Sequence, residues 1–199
     1  SYAASFGISS IPGNQSDEYK NFLRDINNLS VREEQGKKII QKLINRDAEV
    51  VLDPTMLIEK KKWELLARDF NKKNYILVYR FSSSKNMDMF IKQLSKETNC
   101  EIVIISYSLK RTLKATYEKV VGPLEFLGLF KNARYVVTNS FHGTAFSINL
   151  NKDFFLEMLP ESHGVNSRLE NILNLFDLNS RQIIDGKNDL IHEPIDYKK

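Results

Sequence analysis

The chain has 199 residues, of which 42% are hydrophobic and 27% are charged. This balance excludes disordered and collagen-like chains and is typical of a globular protein with room for one α/β domain or more. The formal net charge is +4, and because the basic residues are dispersed along the chain, we predict no nucleic-acid partner. No apolar run reaches the roughly 18 residues of a membrane span, so we predict no transmembrane segment.

The lone cysteine, Cys100, excludes an intrachain disulfide framework and is typical of a protein in a reducing compartment. We therefore predict a cytoplasmic location. The histidines at positions 142, 163 and 192 lack the spacing of a metal-binding motif, and the chain has no Walker A loop and no GxGxxG sequence. We predict no metal and no bound cofactor.

Taken in chain order, amphipathic helical patterns alternate with short apolar runs. Apolar residues at i, i+3 and i+4 spacing predict helices over 19–26, 33–45, 63–70, 87–94 and 169–176. Runs rich in β-branched and aromatic residues predict strands over 48–52, 75–79, 102–106, 135–138 and 154–156. Because these runs are almost continuously apolar, we expect strands that are covered on both faces, as in a parallel sheet.

The alternation of strand and helix predicts an α/β fold with a Rossmann-like, doubly wound parallel sheet, preceded by the remnant of another α/β lobe. We place the boundary near Asp53, because Pro54 ends the preceding strand. The predicted parts are the end of a first lobe at 1–53, a connecting segment at 54–73, the second lobe at 74–184 and a polar tail at 185–199. The tail has little to bury, and we expect it to fray or to cross back to the first lobe.

Polar residues follow the predicted strand 135–138, where a helix should begin near His142. In open α/β sheets, ligands bind beyond the carboxyl ends of the strands, where helix N-termini present free N–H groups and a partial positive charge. We therefore predict a phosphate or carboxylate site beside His142, with four further contributors, Asn139, Ser140, Gly143 and Thr144. Gly143 would allow a ligand to approach the protein backbone closely, and the hydroxyls would donate hydrogen bonds. The alternative is that these side chains only cap the helix or satisfy buried groups.

Two arginines also precede or open predicted helices. Arg32 stands at the end of a short strand, where its planar guanidinium can grip phosphate or carboxylate in two places. The alternative for Arg32 is an ion pair with Glu33 or Glu34. Arg168 opens the last helix, after a polar loop at 163–164, and its alternative role is helix capping or simple exposure to solvent.

Five short segments stand out together, namely SYAASFG at 1–7, SVRE at 30–33, VVLDPT at 50–55, GPLEF at 122–126 and TNSFHGT at 138–144. In that order they resemble the polysaccharide pyruvyl transferase family, and the likeness runs from residue 2 to about residue 181. The segment around His142 is its most specific part. That family is similar in fold to two-lobed glycosyltransferases of the GT-B kind. The resemblance therefore implies the C-terminal lobe of a GT-B-like fold, preceded by the end of a first lobe.

The resemblance implies an enzyme that transfers the enolpyruvyl group of phosphoenolpyruvate to two hydroxyls of a sugar in a surface polysaccharide or its precursor. The product is a pyruvate ketal, phosphate is released, and phosphoenolpyruvate is the donor substrate rather than a cofactor. The resemblance further implies bacterial exopolysaccharide biosynthesis, a sugar or lipid-linked oligosaccharide acceptor, and peripheral association with the cytoplasmic membrane face. We expect the chain by itself to be inactive, because half of a cleft cannot position both substrates.

Matched by position, His142 corresponds to the family's histidine at the phosphoenolpyruvate site and Arg32 to its anion-binding arginine. The resemblance implies that His142, as imidazolium, acts as general acid or electrostatic partner, and that it faces Arg32 across a cleft between the lobes. Ser5, in the first matching segment, joins the predicted substrate-binding residues. Many members have aspartate in place of Asn139 and arginine in place of the serine that follows it, and we expect Arg168 to compensate.

Two other functions stay open at the level of sequence. The first is a nucleotide-sugar glycosyltransferase of the GT-B kind, which saturation with a nucleoside diphosphate but not with phosphoenolpyruvate would select. The second is a non-catalytic, ligand-binding lobe.

Overall fold

The computed structural model describes residues 1–106, 111–160 and 165–198. These residues form two compact units. The first unit comprises residues 1–57 and 159–177, and the second comprises residues 58–158 and 178–199. The predicted boundary near residue 53 stays a prediction, but the crossing of the chain back into the first unit at 159–177 is a feature that the sequence did not reveal.

The first unit is built on two short parallel strands, β1 (Ser30–Val31) and β2 (Glu49–Val50). Helices α1 (Ser16–Arg24), α2 (Glu34–Ile44) and α7 (Ser167–Leu175) belong to the same unit. Its core consists of apolar side chains from these strands and helices, including Leu23, Leu29, Val31, Ile40 and Ala48. The sequence prediction placed helix α7 in the second lobe, whereas the structure packs it against α2.

The second unit contains a five-stranded parallel sheet. Its strands are β3 (Tyr75–Tyr79), β4 (Glu101–Ile105), β5 (Thr116–Glu118), β6 (Tyr135–Thr138) and β7 (Asp153–Leu156). The side chains of β3 and β6 are buried almost throughout, which explains why these strands read as continuous apolar runs. The spatial order β5-β4-β3-β6-β7 is that of a doubly wound sheet. The predicted α/β fold class is therefore confirmed.

Helix α4 (Lys85–Thr98) shows how the local sequence sets the bounds of an element. The Ser84 hydroxyl accepts a hydrogen bond from the Met87 N–H at 2.9 Å and so caps the first turn. Asn99 ends the helix in the left-handed conformation, with φ of 52°. Between these ends, Met87, Phe90, Ile91 and Leu94 are buried at helical spacing.

Three other helices belong to this unit, α3 (Lys60–Leu66), α5 (Pro123–Asn132) and α6 (Phe141–Asn149). Helix α3 was predicted over 63–70, but it ends earlier because the Arg68 N–H donates to the Leu124 carbonyl at 3.0 Å. Helix α5 was not predicted. It buries four consecutive residues, 127–130, so it shows no clear polar face.

The sequence predicted that the polar tail frays or crosses back to the first lobe. In the structure the tail instead lies on the second unit. The Tyr197 hydroxyl donates to the Lys152 carbonyl at 2.7 Å, and the Ile195 N–H donates to Asp153 Oδ1 at 2.7 Å. Ile191 is buried in the main core of the unit. Specific hydrogen bonds, rather than apolar area alone, therefore hold the tail.

Gly128 in helix α5 lies against backbone, and we expect Gly128→Ala to destabilise the fold. A Cβ added there would lie 1.9 Å from the Arg68 carbonyl oxygen, so the helix or the segment after α3 must shift. Overpacking of this kind costs about 1–3 kcal/mol, which urea unfolding followed by circular dichroism would measure. Gly13→Ala is the matched control, since nothing lies within 4 Å of a Cβ at that position. Equal unfolding free energies for the two variants would contradict the packing argument.

Tyr197→Phe tests whether the tail contributes to stability. Burial raises the pKa of the Tyr197 hydroxyl well above its usual range, so the group stays neutral and acts as a donor. The variant loses the bond to Lys152 and leaves its carbonyl with one fewer donor. We expect a loss of about 1 kcal/mol in unfolding free energy, measured as above. An unchanged urea midpoint would show that the tail is only loosely attached.

Candidate functional site

The carboxyl ends of β3 and β6 form the switch point of the second unit, because the chain order reverses between these neighbouring strands. Ligands bind at such points in open α/β sheets. The Thr138 hydroxyl donates to the Tyr79 carbonyl at 2.6 Å, and the side chain of Asn139 also links the two strand ends. Its Oδ1 accepts from the Phe81 N–H at 2.8 Å, and its Nδ2 donates to the Ser82 carbonyl at 3.0 Å. Asn139 is only 1% exposed, so the side chain fixes this edge, and its substrate-binding role stays a prediction.

Helix α6 begins directly after this link. Ser140 is its N-cap, and its hydroxyl accepts from the Gly143 N–H at 3.4 Å. The Thr144 hydroxyl donates back to the Ser140 carbonyl at 3.1 Å. Both side chains are buried. The structure thus supports the capping interpretation of Ser140, while substrate binding by the two hydroxyls stays a prediction.

Gly143 was predicted to admit a ligand, but the structure gives a different reason for the glycine. A Cβ at this position would lie 2.2 Å from Thr138 Oγ1 and 3.2 Å from the Tyr79 ring. The close approach is therefore that of helix α6 to strands β3 and β6. The glycine lets the helix start sit directly on the carboxyl ends of these strands.

His142 lies in the first turn of α6 and is exposed, unlike the buried residues on either side of it. Its imidazole makes an edge contact with the Phe141 ring, with centroids 5.5 Å apart. An exposed imidazole at a helix N-terminus can meet a solute where backbone N–H groups favour negative charge. The structure therefore retains His142 as a candidate for acid–base chemistry.

A cavity of about 300 Å³ opens at the carboxyl ends of β3 and β4. We call it the β3–β4 cavity. Its lining includes Arg80, Phe81, Ser82, Ser83, Ser106 and Tyr117. Sequence reasoning missed this site. The signal available was the run of polar and aromatic residues that directly follows strand β3, at the sheet edge where ligands bind.

In the first unit, Arg32 forms an ion pair with Asp53, not with Glu33 or Glu34 as the alternative interpretation proposed. Arg32 follows β1 and Asp53 follows the β2 region, so the parallel pairing of the two strands brings these residues together. The other oxygen of Asp53 accepts from the Thr55 N–H at 2.9 Å and the Thr55 hydroxyl at 2.7 Å. Burial acts to raise the pKa of Asp53, but these hydrogen bonds and Arg32 outweigh it and lower the pKa.

Glu33 is a buried residue of this unit that the sequence prediction considered only as an ion-pair partner of Arg32. It is 1% exposed, and its Oε1 accepts from the Ser5 hydroxyl at 3.0 Å and the Phe6 N–H at 3.1 Å. Its Oε2 is buried, and among the described residues it has no hydrogen-bond partner. The predicted substrate-binding hydroxyl of Ser5 is thus engaged by Glu33. The sequence signal was only the position of Glu33 directly after Arg32.

Arg168 lies in the first turn of α7. Its guanidinium lies beside Gly7, and a Cβ added to that glycine would be 3.5 Å from Arg168 Nη2. Burial lowers the pKa of Arg168, and the positive charge of Arg32 lowers it further, while Glu33 opposes both. The Asn171 side chain of the same helix donates to the Arg32 carbonyl at 3.1 Å. The structure therefore brings Arg168 and Arg32 together within the first unit, and their shared role in substrate binding stays a prediction.

Three further sequence predictions concern a cleft between the lobes, the loop at 163–164, and the lack of a metal site or membrane span. His142 belongs to the second unit, whereas Arg32, Arg168 and Ser5 belong to the first; that they face one another across a cleft stays a prediction. Residues 163–164 lie outside the described residues. In the described ranges, no group of three or more His, Cys, Asp or Glu side chains could hold a metal ion, and no helix has the length and apolar character needed to cross a bilayer.

The fold and its strand order define a Rossmann-like α/β protein. The family model for polysaccharide pyruvyl transferase matches residues 1–156. The chain belongs to the polysaccharide pyruvyl transferase family.

Solved structures with detectable similarity are distant. UDP-GlcNAc 2-epimerase from Neisseria meningitidis is 15% identical, with 74% of this chain and 50% of that chain covered and a TM-score of 0.42. The epimerase from Methanocaldococcus jannaschii is 14% identical, with coverages of 76% and 54% and a TM-score of 0.43. The wall teichoic acid polymerase TagF is 15% identical, with coverages of 92% and 62% and a TM-score of 0.45. The chain spans about half the length of the epimerase structures. Among curated proteins, none matches the chain significantly in sequence.

Asp53→Asn tests the ion pair with Arg32. We expect a loss of about 1.5–3 kcal/mol in unfolding free energy at pH 7, because a buried hydrogen bond to a charged group is lost. The folded pKa of Asp53 lies below its usual value of about 3.9. The stabilising charge is therefore present above about pH 4 and lost as the pH falls through the folded pKa.

The difference in unfolding free energy between wild type and Asp53→Asn should become smaller when urea unfolding is repeated at pH 3. Asp17→Asn is the control, because Asp17 is an exposed partner of Lys20; we expect it to behave like the wild type at both pH values. If that difference were the same at pH 7 and pH 3, the stabilising group would not be the ionised Asp53 carboxylate.

Proposed function

We propose that the protein to which this chain belongs transfers the enolpyruvyl group of phosphoenolpyruvate to two hydroxyls of a sugar, as a step in surface polysaccharide synthesis. Family membership supports a transferase of polysaccharide pyruvylation. The observation that carries the proposal is the exposed imidazole of His142 at the start of α6, on the switch-point edge of the second unit. An anionic donor suits this place, because the positive end of the helix dipole favours negative charge.

In the proposed reaction, His142 donates a proton to the methylene carbon of the enol, or stabilises that protonation electrostatically. The adjacent carbon then has oxocarbenium character. One sugar hydroxyl attacks this carbon, the bond to the phosphate oxygen breaks, and the second hydroxyl attacks in turn to close the ketal. Of the two protons that the hydroxyls lose, one replaces the proton given by His142 and the other leaves with phosphate.

Arg32 and Arg168 are proposed to hold the negative groups of the donor. Two features of the first unit favour this role. Asp53 and Glu33 fix the surrounding backbone and the Arg32 guanidinium, so little side-chain entropy is lost when a ligand binds. Partial burial also strengthens the attraction of Arg168 to an anion, because the local dielectric constant is below that of water.

The remaining parts of the proposal follow from the same chemistry. The acceptor is a sugar or a lipid-linked oligosaccharide, which would bring the protein to the cytoplasmic face of the membrane as a peripheral partner. No metal or further cofactor is required, since proton transfer and charge stabilisation suffice for the step. A cytoplasmic location agrees with the single, unpaired thiol of Cys100.

The test is phosphate release from phosphoenolpyruvate by the intact protein in the presence of an acceptor polysaccharide. We expect His142→Ala to lower kcat at least 100-fold, because general acid catalysis contributes about this much or more. His192→Ala is the matched control, since His192 is also exposed and faces Glu97 at 3.3 Å. Wild-type rates for His142→Ala, in a variant that unfolds like the wild type in urea, would disprove the assigned role.

A further inference from the structure

The β3–β4 cavity is separate from the start of helix α6 but belongs to the same sheet edge. Its volume, about 300 Å³, is at the lower end of the range for small-molecule sites. It is therefore large enough for a ligand of one or two rings. The lining residues come from the segment after β3, from the end of β4 and from Tyr117 of β5.

The side chains around this cavity combine an aromatic face with hydroxyls. Phe81 is 70% exposed, so a large apolar ring is in contact with water at this position. Ser82 and Ser83 are exposed beside it, and Ser106 lies on the opposite side. A sugar ring matches this combination, because its C–H face packs on an aromatic ring while its hydroxyls exchange hydrogen bonds with serine.

The charge of the lining favours a neutral ligand. The Arg80 guanidinium is engaged by Asp88 and by the Thr112 hydroxyl, and its side chain is only 9% exposed. This pair adds no net charge to the cavity. The exposed Arg111 lies over the Tyr117 ring, 5.2 Å from its centroid, rather than in the lining. Among the lining residues that the structure describes, a donor with up to three negative charges thus finds no dedicated partner.

Hydrogen bonds connect the segment that lines the cavity to the predicted donor site. The backbone of Phe81 and Ser82 is hydrogen-bonded to both polar atoms of Asn139. Three residues later in the chain is His142. A ring stacked on Phe81 would therefore lie at the edge where the enol carbon is protonated, and such fixed proximity is what a two-substrate reaction needs.

We infer that the β3–β4 cavity binds the acceptor, as a neutral pyranose ring stacked on Phe81. This inference rests on the proposed function, since it names the subsite for the second substrate. It assigns Phe81 as a specificity-determining residue and the serines of the segment after β3 as the groups that orient the ring.

The experiment is a titration of the ¹⁵N-labelled chain with methyl glucopyranoside, methyl galactopyranoside and methyl mannopyranoside, followed by NMR. We expect at least one sugar to shift the amides of residues 81–83 and 106. Phe81→Ala should weaken that binding about fivefold, the worth of an aromatic contact, and Phe81→Trp should retain it. Met89→Ala is the matched control, because Met89 is a similarly exposed apolar residue that does not line the cavity.

Two outcomes would overturn the inference. They are the absence of any sugar-dependent shift at these amides, whether or not UDP shifts them, and equal binding by Phe81→Ala and wild type. The phosphate-release assay separates the inference from the proposed function. If a sugar binds at Phe81 and the intact protein releases no phosphate from phosphoenolpyruvate with that sugar present, the proposed function fails and the sugar site stands.

Discussion

The hydrogen bonds of Asn139 are the constraint on which the second unit's site depends. A buried amide is costly unless both its donor and its acceptor are satisfied, and Asn139 finds both partners on the segment after β3. The two strand ends at the switch point are therefore held in one arrangement. The start of helix α6, with its exposed imidazole, and the rim of the β3–β4 cavity both take their positions from this link.

A second constraint of the same kind organises the first unit. Asp53 and Glu33 are almost fully buried carboxylates. Asp53 is bonded to Arg32 and Thr55, and one oxygen of Glu33 accepts from the Ser5 hydroxyl and the Phe6 N–H. An uncompensated buried charge would cost several kcal/mol, so the guanidinium of Arg32 and the backbone at Phe6 are held where the carboxylates need them. The basic groups proposed to hold the donor are thus fixed by acids, not simply gathered on a surface. Site and stability share the same interactions here.

Much of the fold could be predicted because its signals are local. Strands β3 and β6 were predicted with the bounds that the structure shows, since both are short, continuous apolar runs. Helix α4 has an amphipathic pattern with a serine cap, and these are also local features. Helix α5 was missed because it is buried on more than one side, so its apolar residues show no period. Strand β5 was missed because it is three residues long and half-buried.

The sequence by itself determined the alternation of strands and helices, the sheet edge that is the candidate site, the candidate residues His142 and Arg32, and the resemblance to a family. Only the tertiary structure decided what those residues touch. It paired Arg32 with Asp53, moved helix α7 into the first unit, made Gly143 a packing residue and opened a cavity beside Phe81. The physical reason is that strand order, which no local pattern encodes, sets which distant segments meet, and buried polar groups then select their partners from the segments brought together.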